Sequence, residues 1–134
     1  MSNRDDALGG KSNHLQQIFN KVSTHLLEQN ERSVVDTTGT CAYRGESGKM
    51  CAVGCLINDH AYSQSLEGGG VRSQLEVQWA LEKSGIEFDE DGMVMRLLSK
   101  LQLIHDTKEE SDWAASLSAL ANELGLKFDM RGIR

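Results

Sequence analysis

The sequence predicts an α+β fold, a mainly helical single domain with about four helices and one small β-hairpin. Apolar residues recur at three- and four-residue spacing in four separate segments, which is the periodicity of one helix face. A Gly-Glu-Ser-Gly turn, residues 45–48, lies between two short segments that suit paired strands. The chain contains no proline, so none interrupts the helical segments.

The first helix is predicted to begin after Asn13 and to end near Asn30. Asn13, followed three residues later by Gln16, is a candidate cap of the helix start. The predicted buried stripe consists of Leu15, Ile18, Phe19, Val22 and Leu26. Residues 1–12 are candidates for disorder, and the whole chain, residues 1–134, is expected to form a single domain.

The β-hairpin is predicted from residues 41–44 and 49–52, which flank the turn at residues 45–48. The next residues, 52–57, are ambiguous: apolar positions alternate as in a strand, but Cys51 and Cys55 also lie four residues apart, as on a helix. We expect a short buried helical turn there. The glycine triplet at residues 68–70 predicts a hinge within one domain.

The second half of the chain predicts three helices. Ser73 with Glu76 matches a capping box before the first of them, and Gly85 is placed to end it. The next helix has the most regular stripe: Val94, Leu97, Leu98, Leu101 and Ile104. It is expected to begin at Asp89 or Asp91 and to end near His105.

The last helix is predicted to run from Ser111 to Leu124, with Gly125 just beyond its end. Two tryptophans, Trp79 and Trp113, fall at helical spacing among apolar residues. Both are therefore expected to be core residues.

Charge and composition restrict the classes of partner. The net charge is −6, which opposes binding to the phosphates of nucleic acids. No apolar segment approaches the roughly 20 residues that span a membrane, and the first residues lack the apolar core of a secretory signal. We therefore expect a cytoplasmic protein with no membrane and no nucleic-acid partner. Its three cysteines are expected to be reduced thiols.

A zinc site is one interpretation of the cysteines, because Cys41, Cys51, Cys55 and His60 supply four soft ligands. Their spacing lacks the tight paired-cysteine turn that zinc modules use. Free cysteine also behaves as a small hydrophobic residue that is often buried. The sequence therefore favours cysteines that pack in the core, with no metal and no other cofactor.

A cysteine nucleophile is a second interpretation. Cys51 is the candidate nucleophile, and His60 or His105 with Asp106 could assist it. A histidine at the end of an apolar stripe, such as His105, is more often a cap of the last carbonyl groups. The sequence therefore favours a protein that is not an enzyme.

Two other motifs match a calcium-binding loop and a phosphate-binding loop only in part. Acidic residues in residues 87–91 resemble the start of a calcium-binding loop, but Leu98 stands where the bidentate glutamate is required. The glycine triplet precedes Val71 and Arg72 instead of the Lys-Ser/Thr of a phosphate-binding loop.

Several short motifs together resemble a group of small proteins encoded by tailed bacteriophages and prophages. The motifs are C-x-Y-R at residues 41–44, G-x-x-G at 45–48, C-A-V-G-C-L-I at 51–57, Tyr62, Glu67-Gly68, and L-I-H-D at 103–106. No activity is established for that group, so the resemblance implies a setting and no catalytic residue. The setting is a phage accessory protein acting in the cytoplasm of a host bacterium.

The expected function is that of a small phage-type accessory protein that binds a host bacterial protein, as inhibitors of defence and host takeover factors do. Two alternatives remain open: a cysteine-dependent hydrolase or transferase, and a protein that binds a nucleotide-like signal molecule in a cleft near the glycine triplet. The sequence does not determine the oligomeric state.

Overall fold

The computed structural model describes residues 3–35 and 41–128, with side chains from Asn13 onward. Within these described residues, four α-helices run in chain order as α1 (Asn3–Gln29), α2 (Leu75–Lys83), α3 (Met93–Thr107) and α4 (Trp113–Leu124). The described connections between them contain four one-turn 3-10 helices, at Glu46–Gly48, Gly54–Leu56, Gln64–Leu66 and Glu110–Asp112. No described helix has the length and apolar character that would let it cross a lipid bilayer.

Helix α1 contacts α3, α4 and the Gly54–Leu56 turn, and α3 also contacts α4. The predicted stripe of α1 is buried against them: Leu15, Ile18, Phe19, Val22 and Leu26. The helix begins at Asn3, so the candidate cap Asn13 lies inside it. The candidate disorder of residues 1–12 stays a prediction.

The predicted β-hairpin is wrong, and with it the α+β class, because the described residues contain four helices and no β-strand. The chain does reverse direction at residues 45–48, where the Gly45 N–H donates to the Lys49 carbonyl at 2.8 Å. Only one isolated bridge, between Arg44 and Met50, accompanies this turn. Pairing ends there because the next residues enter the buried Gly54–Leu56 turn.

The predicted helices α3 and α4 are confirmed, although each begins later than expected, at Met93 and at Trp113. The stripe of α3 is buried, and the Asp89 carboxylate accepts from the Met93 and Val94 N–H groups at 3.3 and 3.0 Å, which caps the helix start. Trp113 of α4 is fully buried. Gly125 ends α4 with a φ of 71°, in the left-handed region that favours glycine.

Helix α2 differs from its prediction in two respects. It begins at Leu75 after Gln74, and no side chain caps it, so Ser73 is not its cap. Trp79 is 55% exposed and is not a core residue. The buried face of this short helix contains Val77 and Leu81, and Trp79 lies two residues from each, on the opposite face.

The predicted buried turn after Cys51 is confirmed as the 3-10 helix Gly54–Leu56. Its first residue must be glycine, because a Cβ atom on Gly54 would lie 2.2 Å from the Tyr43 carbonyl oxygen. The turn therefore lies directly against the backbone at Tyr43, which holds the chain segment that carries Cys41 close to the core.

We predict that Gly54→Ala lowers the free energy of unfolding by ~1–3 kcal/mol, because the obstacle is backbone and cannot rotate away. Gly70→Ala is the matched control, since a Cβ atom there would lie 3.4 Å from the Ser73 hydroxyl, an ordinary contact. Its change should stay within about 0.5 kcal/mol. Urea unfolding followed by circular dichroism measures both. Equal stability of the two variants would contradict the close approach.

Candidate functional site

The last two turns of α3 bring two polar groups to Cys41. His105 and Asp106 end this helix, and Cys41 lies on the segment that follows α1. The three residues each contribute one potential metal-ligand atom: the Cys41 sulfur, a His105 ring nitrogen and an Asp106 carboxylate oxygen. These atoms lie within 4.8 Å of one another. No other such group occurs among the described residues. We take this cluster as the candidate site.

The His105 ring has a partner on each nitrogen and none of its surface is exposed. Nε2 accepts from the Ser33 backbone N–H at 3.0 Å, and Nδ1 lies 2.8 Å from Asp106 Oδ1. The ring stacks on Trp113 with centroids 5.7 Å apart. In addition, the Arg32 guanidinium donates to the His105 carbonyl at 3.0 Å. These contacts join the segment after α1 to α3 and α4.

The hydrogen bonds select one tautomer of the neutral His105 ring. Because the Ser33 N–H can only donate, Nε2 must accept, so the ring proton resides on Nδ1 and is donated to Asp106. The free lone pair of the ring then faces Ser33 and not Cys41. His105 is therefore not placed to take a proton directly from the Cys41 thiol.

The same tautomer argues against a metal ion at this cluster. A metal-binding histidine uses the lone pair of one nitrogen and usually donates the N–H of the other to an acceptor. Here Nδ1 would have to lose its proton to bind the metal, while Nε2 faces the Ser33 N–H, a donor. A metal at Cys41, His105 and Asp106 would thus require the Ser33 segment to move.

Gln102 connects the parts of the site. Its side-chain N–H group donates to Asp106 Oδ1 at 2.8 Å and to Cys41 Sγ at 3.1 Å. Its carbonyl oxygen accepts from the Val53 N–H at 3.0 Å. One amide therefore fixes the relative positions of α3, the Cys41 segment and the chain before the Gly54–Leu56 turn.

The environment shifts the pKa values of the three clustered groups. Contact with the Cys51 thiol and burial raise the pKa of Cys41 far above its ordinary value. Burial raises the pKa of Asp106, but hydrogen bonds from His105, Gln102 and Cys41 together lower it more, so it lies below its usual range. Burial lowers the pKa of His105 and the contacts with Asp106 and Cys41 together raise it more, whereas the Ser33 N–H at Nε2 opposes a second ring proton. The resting site thus holds a protonated thiol beside an ionised carboxylate.

A pocket of about 580 Å³ opens at this cluster. Its lining consists of Val35, Cys41, Tyr43, Val53, Glu67, Gly68, Gly69, Gly70, Val71, Gln102 and Asp106. The Tyr43 hydroxyl donates to the Gly69 carbonyl, which holds the glycine triplet against the Cys41 segment. The two sides of the pocket are therefore connected by hydrogen bonds.

Glu67 fixes the position of the Cys41 segment from the glycine side. Its carboxylate accepts from the Tyr43 N–H at 2.9 Å, the Arg44 N–H at 3.1 Å and the Tyr62 hydroxyl at 2.6 Å. The Arg44 guanidinium lies over the Tyr62 ring, 4.7 Å from its centroid. Several motif residues that are far apart in the sequence thus meet at Glu67, which lines the pocket.

The other residues of the zinc and nucleophile interpretations, Cys51, Cys55 and His60, lie outside this cluster. Cys51 is fully buried and its sulfur accepts from the Gly54 N–H at 3.3 Å. Cys55 is buried, donates to the Ala52 carbonyl, and has its pKa raised to about 12 by burial. His60 is exposed on the polar residues after Ile57. The four residues of the zinc interpretation are not brought together, and His105 and Asp106 meet Cys41 rather than the expected nucleophile Cys51.

Sequence reasoning missed Gln102, Ser33, Tyr43 and Glu67 as site residues. The spacing of Gln102, His105 and Asp106, three and four residues apart, was a usable signal, because it puts them on one face of α3. Ser33 contributes a backbone N–H, for which the sequence has no signal. Comparisons with protein families, curated proteins and solved structures find no match for this chain.

We predict that Cys41 is the first thiol of the folded protein to react with iodoacetamide, since it lines the pocket while Cys51 and Cys55 are buried. Its reaction should still be slower than that of free cysteine, because its pKa is raised and the thiolate is the nucleophile. Mass spectrometry of time points measures the order. All three should react quickly in urea, and rapid labelling of Cys51 in the folded protein would contradict the account.

Proposed function

We propose that the protein binds a small organic molecule in the pocket beside Cys41. The observation that carries the proposal is the pocket of about 580 Å³, a size typical of small-molecule sites. Its wall places a thiol, an amide and a carboxylate next to apolar valine side chains. Such a combination gives a ligand both apolar contact and a few oriented hydrogen bonds.

The charges of the pocket favour a cationic or neutral ligand. The lining contains two carboxylates, Glu67 and Asp106, and no lysine or arginine among the described residues. Glu67 already accepts from three donors, whereas the Asp106 side chain is 36% exposed and lines the pocket, where a ligand can reach it. A phosphate would be repelled here. The pocket does lie at the glycine triplet, but its charge favours an amine or amidine over a nucleotide-like molecule.

The test compares benzamidine, benzamide, benzoate and AMP by titration into the isotope-labelled protein, monitored in amide correlation spectra. We expect benzamidine to shift the signals of Gly68, Gly70 and Gln102, with benzamide weaker. Asp106→Asn should weaken benzamidine binding by roughly tenfold, as expected for the loss of a charged hydrogen bond. Asp112→Asn, an exposed aspartate outside the pocket, is the matched control. Absence of any localised shift with all four probes would contradict the proposal.

The alternative of a cysteine-dependent enzyme has less support from the geometry. The expected nucleophile Cys51 has no exposed surface, and the pKa of Cys41 is raised rather than lowered. The neutral His105 ring directs its lone pair to Ser33. An activated cysteine needs a lowered pKa or an adjacent base, and these contacts supply neither.

We also propose, as a second function, that the protein binds a host bacterial protein in the phage setting implied by the sequence resemblance. The observation in its favour is an exposed apolar pair on α2, Leu75 at 60% and Trp79 at 55%. The two residues are four positions apart and therefore adjacent on the helix surface. Exposed tryptophans are frequent anchors of protein interfaces.

An affinity capture from lysate of a bacterial host tests this second function. Trp79→Ala should lose a stoichiometric partner that the unmodified protein retains. Leu103→Ala is the matched control, since Leu103 is 59% exposed on α3. Retention of the same partner by Trp79→Ala, or capture of no partner at all, would contradict an α2 interface.

A further inference from the structure

Two of the three thiols, Cys41 and Cys51, are neighbours, and Cys41 lines the pocket. The Gly45 N–H bond to Lys49 and the Arg44–Met50 bridge set the register of the chain reversal, which brings the segments of Cys41 and Cys51 alongside each other. The side-chain amide of Gln102 bonds to Cys41 Sγ and to the Val53 N–H, two residues after Cys51, and the nearby Cys51 thiol raises the pKa of Cys41. Cys55 contacts the Ala52 carbonyl instead. The fold thus distinguishes one adjacent pair from the third cysteine.

Each sulfur of this pair also receives a hydrogen bond from nitrogen. Gln102 donates to Cys41 Sγ at 3.1 Å, and the Gly54 N–H donates to Cys51 Sγ at 3.3 Å. These bonds fix the positions of both sulfurs, and because the pKa of Cys41 is raised, its oxidation should be slower than that of free cysteine. Only Cys41 lines the pocket, so a small reagent reaches the pair from that side.

We propose that Cys41 and Cys51 form a redox pair that a small hydroperoxide entering the pocket converts to a disulfide. This is a modification site separate from ligand binding, and it does not depend on the pocket having a natural ligand. The pocket admits the oxidant to Cys41, and the buried Cys51 is placed to resolve the product.

The reaction proceeds in two steps. The Cys41 sulfur attacks the terminal oxygen of the hydroperoxide, the O–O bond breaks, and the thiol proton leaves with the alkoxide as an alcohol. Cys41 is then a sulfenic acid. The Cys51 sulfur displaces its hydroxyl group, the S–S bond forms, and water leaves with the Cys51 proton. The two thiols lose two electrons in total, and the hydroperoxide gains them.

Mass spectrometry of the protein without substitutions shows directly which two cysteines form the disulfide. After treatment with hydrogen peroxide, or with diamide as a second thiol oxidant, free thiols are blocked by N-ethylmaleimide at low pH and the protein is digested with trypsin. Cys41 lies in the peptide of residues 33–44, and both other cysteines lie in that of residues 50–72. Before the thiols are blocked, we expect a mass loss of about 2 Da in the intact monomer. The two peptides should be joined, with fragmentation between residues 51 and 55 placing the bond at Cys51.

Single variants give an independent check. Cys55→Ala should keep the mass loss, whereas Cys41→Ala and Cys51→Ala should abolish it. A bond between Cys51 and Cys55 would leave the peptide of residues 33–44 free and would overturn the proposal. So would disulfides found only between two chains, or no loss of mass while the native fold persists. Because the peptide map uses the unmodified protein, the result stands even where a variant fails to fold.

Discussion

The structure depends on the placement of one buried side chain, His105, whose two ring nitrogens are both occupied. Ser33 donates its backbone N–H to Nε2, Asp106 accepts from Nδ1, and Trp113 covers a face of the ring. Breaking such a buried bond leaves an unpaired polar group at a cost of about 1–3 kcal/mol. The segment after α1, the end of α3 and the start of α4 are therefore held in one arrangement.

The pocket follows from that arrangement. Because the segment after α1 is fixed at Ser33, the chain returns through Cys41 beside the last turns of α3, where Gln102 bonds to both Cys41 and Asp106. Glu67 holds the same segment from the other side. The thiol, the carboxylate and the glycine triplet thus face one cavity, and the same contacts that form the cavity remove His105 from the role of base for Cys41.

The sequence allowed the long helices to be predicted, and α3 and α4 in particular, because their apolar stripes match their burial. Prediction from the sequence failed where tertiary packing overrides a local pattern. The Gly-Glu-Ser-Gly turn is real, but the burial of residues 51–57 ends strand pairing after one bridge. Trp79 has the spacing of a buried helical stripe, yet its side chain is exposed on the short helix α2. The site was predicted only in part, since His105 meets a backbone amide 72 residues away.

The most direct test is the tautomer of His105 at about pH 9, above the usual imidazole pKa. Nitrogen-15 correlation spectra of the four histidine rings, assigned with His105→Gln, distinguish a protonated from an unprotonated ring nitrogen. The account predicts a neutral ring with its proton on Nδ1 and an unprotonated, hydrogen-bonded Nε2. A proton on Nε2, or rapid exchange between the two tautomers, would contradict it.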